Sequence, residues 1–239
     1  MARPRYPKSS GPLPPALPPA ARTVGQLVAE TLHLYGRHFF RVLPLGLVVA
    51  LADQASLGQE VTGRIVVLLL AAPFFSAAYA DAAALSVERR PSARVWLTAI
   101  GVGTLVFLPA AFLFPWFALA AVAILALFGH SVPAAVVEQL GPFVALRRSV
   151  VLARADLVHA IGGLATLVIM FGLTRLMMGF VLRSQADNTL RVSIFLADVV
   201  LGPILFLGGA LLYADLAARV GTTRDERRAM RLTPPNAAQ

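Results

Sequence analysis

The stretch from Val95 to Gly129 contains 35 residues and not one charged side chain. About 20 helical residues cross the hydrocarbon core of a bilayer, whereas a single helix of this length would extend about 52 Å at about 1.5 Å per residue. The stretch therefore predicts two membrane spans. The turn between them is expected at Phe114-Pro115-Trp116, because proline interrupts a helix and tryptophan favours the membrane interface.

Four other apolar segments have the length of a span. In chain order, spans one and two are Phe40 to Leu57 and Ile65 to Val87, and spans three and four begin within the stretch from Val95 to Gly129. Spans five and six are Val158 to Leu182 and Val192 to Tyr213. Charged residues make up only 14% of the 239 residues and hydrophobic residues 58%, whereas about 25% of the residues of a soluble domain are charged. The sequence thus predicts an all-α membrane protein with six transmembrane helices.

The positive charges are distributed unevenly over the connections between these spans. Of the 21 arginines and lysines, 17 precede span one or follow spans two, four and six, which places them on one side of the membrane. Only Arg64, Arg183 and Arg191 lie in the connections on the opposite side, and Arg175 lies inside span five. Because positively charged loops stay on the cytoplasmic side, we expect a multi-pass protein of the cell membrane with both termini in the cytoplasm.

Two amphipathic helices are predicted on the cytoplasmic face, and the first precedes span one. Thr23 and Gln26 have the spacing of a capping box, and a helix that starts there separates an apolar face from a polar face with His33 and Arg37. Such a helix is expected to lie along the membrane surface. On the polar face, a solvated His33 is favoured over a ligand or a proton carrier.

The second amphipathic helix is predicted before span five, after Gly141-Pro142, since proline is tolerated at the first position of a helix. Its apolar stripe is expected at Phe143, Leu146, Val150 and Ala153. Because this amphipathicity is imperfect, packing on Glu138 and the ends of the spans is the alternative to a surface position.

Two tails are expected on either side of a membrane domain that comprises residues 22–221. Residues 1–21 are rich in proline and poor in bulky apolar residues, which favours a disordered, extended cytoplasmic tail. Pro15 and Pro18 have the PxxP spacing that an SH3-like groove accepts, but this spacing arises readily in any proline-rich tail. Residues 222–239 are expected to form a basic cytoplasmic tail. The chain has no cysteine, which excludes disulfides and thiolate metal sites.

Ionisable residues at membrane depth are the main candidates for a functional site, because a charge is costly in lipid. They are Asp53, Asp81, Arg175, Asp198 and Asp215. Asp81 and Asp215 lie within about two helical turns of cytoplasmic arginines, which favours an anchoring role over a proton relay.

Arg175 and Asp198 are predicted to pair between spans five and six. Arg175 lies eight residues before Arg183, and Asp198 lies seven residues after Arg191. The two side chains are therefore about 12 and 10 Å from the ends of antiparallel helices. Asp53, near the same end of span one, is a rival partner for Arg175. A structural clamp is favoured here over a substrate or proton site.

Glu138 ends span four, just before the Gly141-Pro142 break. Its carboxylate is able to accept from the free N–H groups that start the next helix, or to pair with Arg147 or Arg148. A structural role is again favoured.

A weak internal similarity relates spans two and six. They end in Tyr79-Ala80-Asp81 and Tyr213-Ala214-Asp215, and each has a proline upstream, Pro73 and Pro203. If the two units are related, they form a parallel repeat. Because alanine is abundant in this chain, chance similarity is an open alternative.

Three segments resemble the signature stretches of the membrane domain of glycerophosphoryl diester phosphodiesterases, which also occurs in stand-alone bacterial membrane proteins. They are RTVGQLVAETLHLYGRHF, PAAVVEQLGPFVALRRSVVLARADLVHAIG and LLYADLAAR, and the resemblance covers residues 22–219. It implies a six-helix membrane domain. Family members with phosphodiesterase activity owe it to a separate barrel domain, and we find no segment of that length or composition. The resemblance therefore does not imply that activity.

Motifs of known enzyme classes are missing. The sequence contains no HExxH metal motif, no Gly-x-Ser-x-Gly elbow and no Walker loop, so we expect neither enzyme activity nor a cofactor. A nucleic-acid partner is not expected either, because the arginines form short clusters between apolar runs.

Two classes of function stay open. The first is a non-catalytic scaffold or accessory subunit that contacts anionic lipid headgroups or a membrane protein partner. The second is a small transporter for a lipid-related or other small solute. The apolar middles of spans three and four favour the first class, since transporters place polar groups near the bilayer centre.

Overall fold

The computed structural model describes residues 18–232, with side chains described as far as residue 222. This part of the chain forms a short 3-10 helix, Pro19–Ala21, then nine α-helices and no strand. The helices are α1 (Val24–Arg37), α2 (Phe39–Ser56), α3 (Val61–Ser86), α4 (Ala93–Leu113), α5 (Ala118–Phe128), α6 (Ser131–Val137), α7 (Pro142–Ala155), α8 (Leu157–Val181) and α9 (Asp187–Leu232).

Six segments within the described residues are long and apolar enough to cross a membrane. They are α2, α3, α4, α5 together with α6 (Ala118–Val137), α8, and α9 as far as Thr222. The all-α class and the six spans are thereby confirmed. The turn between α4 and α5 lies at residues 114–117, where the proline and tryptophan predict it.

Large apolar side chains cover the outside of the helix bundle. Phe40, Leu119, Phe143 and Val158 are 87, 86, 83 and 85% exposed, which would be unfavourable in water but matches a lipid surrounding. The interior contains small residues instead, among them a run of buried alanines on α3 at positions 78, 80, 82, 83 and 84. Small residues at helix contacts are typical of membrane bundles, because they let backbones approach closely.

Five of the spans form a ring, in the order α3, α4, α5, α8 and α9, and α9 closes back on α3. α2 packs outside this ring against α3 and α9. Because consecutive spans alternate in direction, the start of α2 and the ends of α3 and α9 lie at the same end of the bundle. We call it the basic end, since Arg22, Arg89, Arg148 and Arg219 lie there, and we call the other the opposite end.

α2 and α9 cross at a very short distance. A Cβ atom at Gly46 would lie 2.1 Å from the carbonyl oxygen of Val199, and one at Gly202 would lie 3.0 Å from Gly46 Cα. Glycine is therefore required at this crossing. Asp53 lies seven residues after Gly46, and Asp198 four residues before Gly202. Helical periodicity thus turns both carboxylates toward the same contact.

α1 is found at the position predicted for the helix before span one, and it starts with the predicted capping box. Thr23 Oγ1 accepts from the Gln26 N–H at 3.4 Å, and Gln26 Oε1 accepts from the Thr23 N–H at 2.9 Å. The helix buries Leu27 and Thr31 and packs against α8 and α9. That α1 lies along a membrane surface stays a prediction.

α7 begins at Pro142, as the Gly-Pro break predicts. It packs on α5 and α6 through buried Ala145 and Ser149, and Ser149 Oγ donates to the carbonyl of Leu127 at 2.7 Å. Phe143, from the predicted apolar stripe, is 83% exposed. The predicted alternative, packing on the ends of the spans, is observed through α5 and α6; that the apolar stripe of α7 also lies on a membrane surface stays a prediction.

The tails differ from the prediction where they meet the membrane domain. Pro19–Ala21, within the predicted disordered tail, form the 3-10 helix and contact α9. α9 continues without a break to Leu232, because extending an existing helix needs no new nucleus; residues 222–232 of the predicted basic tail are thus helical. Residues 1–17, with Pro15 of the PxxP pair, and residues 233–239 lie outside the described residues.

Candidate functional site

A cluster of three charged side chains lies near the opposite end of the bundle. Arg175 Nη2 is 2.7 Å from Asp53 Oδ2, and Arg175 Nε is 3.1 Å from Asp198 Oδ1. The Asp198 side chain is fully buried, and the side chains of Asp53 and Arg175 are 21% and 28% exposed. The equal depths of Arg175 and Asp198 predict their contact, and the structure contains it together with the contact to the rival Asp53.

This cluster joins α2, α8 and α9. Gln54 Nε2 adds a hydrogen bond to the carbonyl of Arg191 at 3.1 Å, which ties α2 to the start of α9. The guanidinium of Arg175 also lies 5.7 Å from the centre of the Phe171 ring, a cation–π distance. One guanidinium thus serves two carboxylates, and removing it would leave two negative charges without a partner.

Glu138 connects α6 with α7 and α9 at the basic end. Its carboxylate accepts from Arg148 Nε at 2.8 and 3.1 Å and from the Tyr213 hydroxyl at 2.7 Å. Arg148 is one of the predicted partners, whereas Tyr213 was not predicted. Arg147 is exposed, because adjacent residues on a helix point in different directions.

Replacing Arg148 with alanine is expected to lower the free energy of unfolding by about 1–2 kcal/mol, because Glu138 loses a charged donor in a partly exposed site. Arg147→Ala removes the same charge one residue away and is the control, with an expected loss under about 0.5 kcal/mol. Denaturation of the purified protein in mild detergent measures both. Equal losses would contradict the role assigned to Arg148.

A second buried cluster surrounds Asp215 of α9. The Asp215 side chain is fully buried, and it accepts from Arg22 Nη1 at 2.7 Å. His159 Nε2 lies 3.6 Å from its other carboxylate oxygen. An arginine was expected to satisfy Asp215, but this arginine comes from 193 residues earlier in the chain, since the segment before α1 folds over α9.

Arg219 extends this cluster to the start of α8. It pairs with Asp156, which caps α8 by accepting from the His159 N–H at 2.9 Å. Arg219 Nη2 also donates to the carbonyl of Arg22 at 2.7 Å. One network therefore holds the chain before α1, the start of α8 and the end of the α9 span together.

Asp81 differs from the prediction that a cytoplasmic arginine satisfies it. Its side chain is exposed and accepts from Trp96 Nε1 at 3.0 Å, because α3 and α4 run side by side as a hairpin. Asp215 is fully buried in an ion-pair network. The two similar Tyr-Ala-Asp segments are thus placed in different surroundings.

Sequence reasoning missed Arg22, Asp156, His159 and Arg219 as members of a cluster. Arg22, Asp156 and His159 lie at a helix end or in a connection, and Arg219 lies in α9 just beyond its predicted span; a charged side chain in such places is usually solvated. Only the position of Asp156 before an apolar run carries a signal, because aspartate is a favoured helix N-cap. The other contacts join distant parts of the chain and leave no local pattern.

An apolar cavity of about 250 Å³ lies at the centre of the helix ring and is also bordered by Val49 of α2. Its walls include Phe75, Phe107, Leu125, Val168 and Phe206. Tyr79 and His130 are the polar side chains that border it. His130 lies at the break between α5 and α6, within span four. Its position in the sequence gave no reason to single it out.

The charged clusters lie toward the two ends of the bundle, and the cavity lies between them. Within the described residues, no group of three or more histidines, cysteines, aspartates or glutamates is placed to hold a metal ion. The charges pair with one another and connect helices, so this arrangement is suited to holding the bundle together.

Comparison of the chain with protein-family models, with curated proteins and with solved structures finds no match. The resemblance of its three segments to the phosphodiesterase membrane domain stays a prediction.

Proposed function

We propose that this protein is a non-catalytic integral membrane protein that acts as a scaffold or accessory subunit at the cytoplasmic membrane. One observation carries the proposal. The five ionisable residues predicted at membrane depth are each engaged by another side chain, and no charged residue borders the cavity in the described part of the bundle. Transporters usually have several polar or charged groups near the centre, whereas Tyr79 and His130 are the polar side chains found on the wall of this cavity among the described residues.

In this proposal the basic end faces the cytoplasm, by the positive-inside rule. Reporter proteins fused after Asn188 and after Gln239 of the full chain should therefore report opposite sides of the membrane. The side of each fusion point is measured with two reporters: a phosphatase that is active only outside the cytoplasm and a fluorescent protein that matures only in the cytoplasm. The same side for both positions would contradict the topology.

The basic end also offers a site for anionic lipid headgroups. Arg41, Arg89 and Arg90 line one recess of about 290 Å³ between α2 and α3, and all three side chains are exposed. Asp81 borders the same recess, but its carboxylate accepts from Trp96. Guanidinium groups bind phosphate through charge-assisted hydrogen bonds, and basic pockets at the cytoplasmic side are suited to anionic lipids.

Lipid binding is tested with the full chain in nanodiscs of phosphatidylcholine that contain increasing amounts of phosphatidylglycerol. The melting temperature should rise with phosphatidylglycerol, and the triple variant Arg41→Gln, Arg89→Gln, Arg90→Gln should lose this rise. The control replaces Arg64, Arg183 and Arg191 with glutamine, which removes the same charge at the opposite end. Equal responses of the two triple variants would contradict the site.

A scaffold or accessory subunit also needs a protein partner. Copurification of one membrane protein with the full chain at a constant ratio, from independent preparations of native membranes, would support this role. The transporter alternative is tested by flux of small solutes and labelled lipids into proteoliposomes. Flux above that of protein-free vesicles would overturn the scaffold proposal.

A further inference from the structure

The cavity at the centre of the helix ring contains a buried imidazole that lacks a hydrogen-bond partner. His130 is only 2% exposed, and within the described residues neither of its ring nitrogens has a partner. A buried polar group without a partner is costly, and such groups in native proteins call for an explanation. The cavity that His130 borders is the space from which a partner can reach it.

We infer that the cavity binds one uncharged, single-chain amphiphile, whose apolar chain fills the space and whose hydroxyl or carbonyl group pairs with the imidazole of His130. This ligand goes beyond the scaffold role proposed above and does not depend on it. The chemical class follows from the lining. The walls are apolar, no charged side chain borders the described cavity, and a neutral imidazole both donates and accepts one hydrogen bond.

The size of the cavity limits the ligand to one chain. An apolar cavity of about 150 Å³ binds benzene. By the same ratio, about 250 Å³ accommodates roughly ten carbon atoms. The two long chains of a phospholipid together exceed this volume, whereas a medium-length alcohol or one segment of a longer chain fits.

The shape of the cavity gives the ligand a direction. Phe114, at the turn between α4 and α5, is 51% exposed and marks the open side. His130, Tyr79 and Gly209 are buried and mark the closed side. Along the α5–α6 span, His130 lies roughly 18 Å beyond Ala118, at about 1.5 Å per residue. The polar group of the ligand therefore lies deep in the bundle, and the chain extends toward the opposite end.

The probe for a test is decan-1-ol with a small photoreactive diazirine in its chain, added to the full-length protein in phosphatidylcholine nanodiscs. After illumination, mass spectrometry identifies the labelled residues. We expect label on residues that line the cavity and competition by unlabelled decan-1-ol. Label confined to lipid-facing side chains such as Leu119 would overturn the proposal.

Two neighbouring alanines provide a matched pair of variants. Ala121 is 1% exposed and lines the cavity, whereas Ala120 is exposed on the same helix. Ala121→Leu should reduce cavity labelling to background, and Ala120→Leu should leave it unchanged. If Ala121→Leu fails to fold, Ala111→Leu, at a less buried part of the wall, takes its place. Cavity labelling that persists in a folded, cavity-filled variant would contradict the inference.

The role of His130 is tested by the choice between an alcohol and an alkane. Unlabelled decan-1-ol and unlabelled decane are each used to compete with the photoreactive probe, and the ratio of their potencies is measured in the wild type and in His130→Phe. Because both proteins lie in the same bilayer, comparing the two ratios cancels the difference in how the alcohol and the alkane partition into it. One added hydrogen bond should favour the alcohol in the wild type by about fivefold. This preference should disappear in His130→Phe while cavity labelling remains. An unchanged preference would remove His130 from the site.

Discussion

Replacing Arg175 with alanine is expected to lower the free energy of unfolding by about 3–5 kcal/mol, because two carboxylates lose their shared partner and one of them is fully buried. Asp53 and Asp198 lie 2.7 and 3.1 Å from this guanidinium, on two different helices. Denaturation in mild detergent, followed by circular dichroism, measures the loss. The control is Arg183→Ala, which removes an exposed arginine stacked on Phe180 and should cost no more than about 1 kcal/mol.

The same cluster predicts a non-additive double mutant. Asp198→Ala alone should also destabilise the protein, and the double variant Arg175→Ala, Asp198→Ala should lose less than the sum of the single losses. Strict additivity would show that the two side chains do not interact. Because Asp53 also contacts Arg175, the coupling between Arg175 and Asp198 is expected to rise when Asp53 is replaced with alanine.

Replacing Asp215 with alanine is the second large effect, with an expected loss of about 3–5 kcal/mol. The substitution leaves Arg22 without its carboxylate in a mostly buried position, since the Arg22 side chain is 12% exposed. The internal similarity supplies a matched control. Asp81→Ala changes the equivalent residue of the other Tyr-Ala-Asp segment, which is exposed and accepts one hydrogen bond from Trp96, and should cost about 1 kcal/mol.

Both aspartate variants are measured in the same detergent and by the same denaturation. Equal losses of unfolding free energy would mean that Asp81 and Asp215 stabilise the protein to the same extent, as a parallel repeat implies. This result would contradict the role that we assign to the different surroundings of the two side chains. Arg22→Ala should reproduce most of the loss seen in Asp215→Ala, because it breaks the same buried contact from the other side.

The candidate clusters were only partly visible in the sequence. Arg175 and Asp198 lie in neighbouring antiparallel helices, so counting residues from the shared loop places them at one depth. Glu138 and Arg148 are only ten residues apart across a Gly-Pro break, so their contact could also be predicted from a short stretch of sequence. His130 carried no such signal, because its significance lies in the missing partner and in the cavity that it borders, and both depend on how six helices pack.

The sequence by itself determined the helical class, the number of spans and the starts of α1 and α7, because hydrophobic length, proline and capping residues act on the chain locally. Only the tertiary structure decided which of the possible charge pairs form and which distant residues join them. Arg22 reaches Asp215 across 193 residues, and Asp53 joins Arg175 because glycines let α2 and α9 cross at backbone contact. The physical reason is that a charge such as Arg175 has more than one possible partner at the same depth, and helix packing decides which of them it contacts.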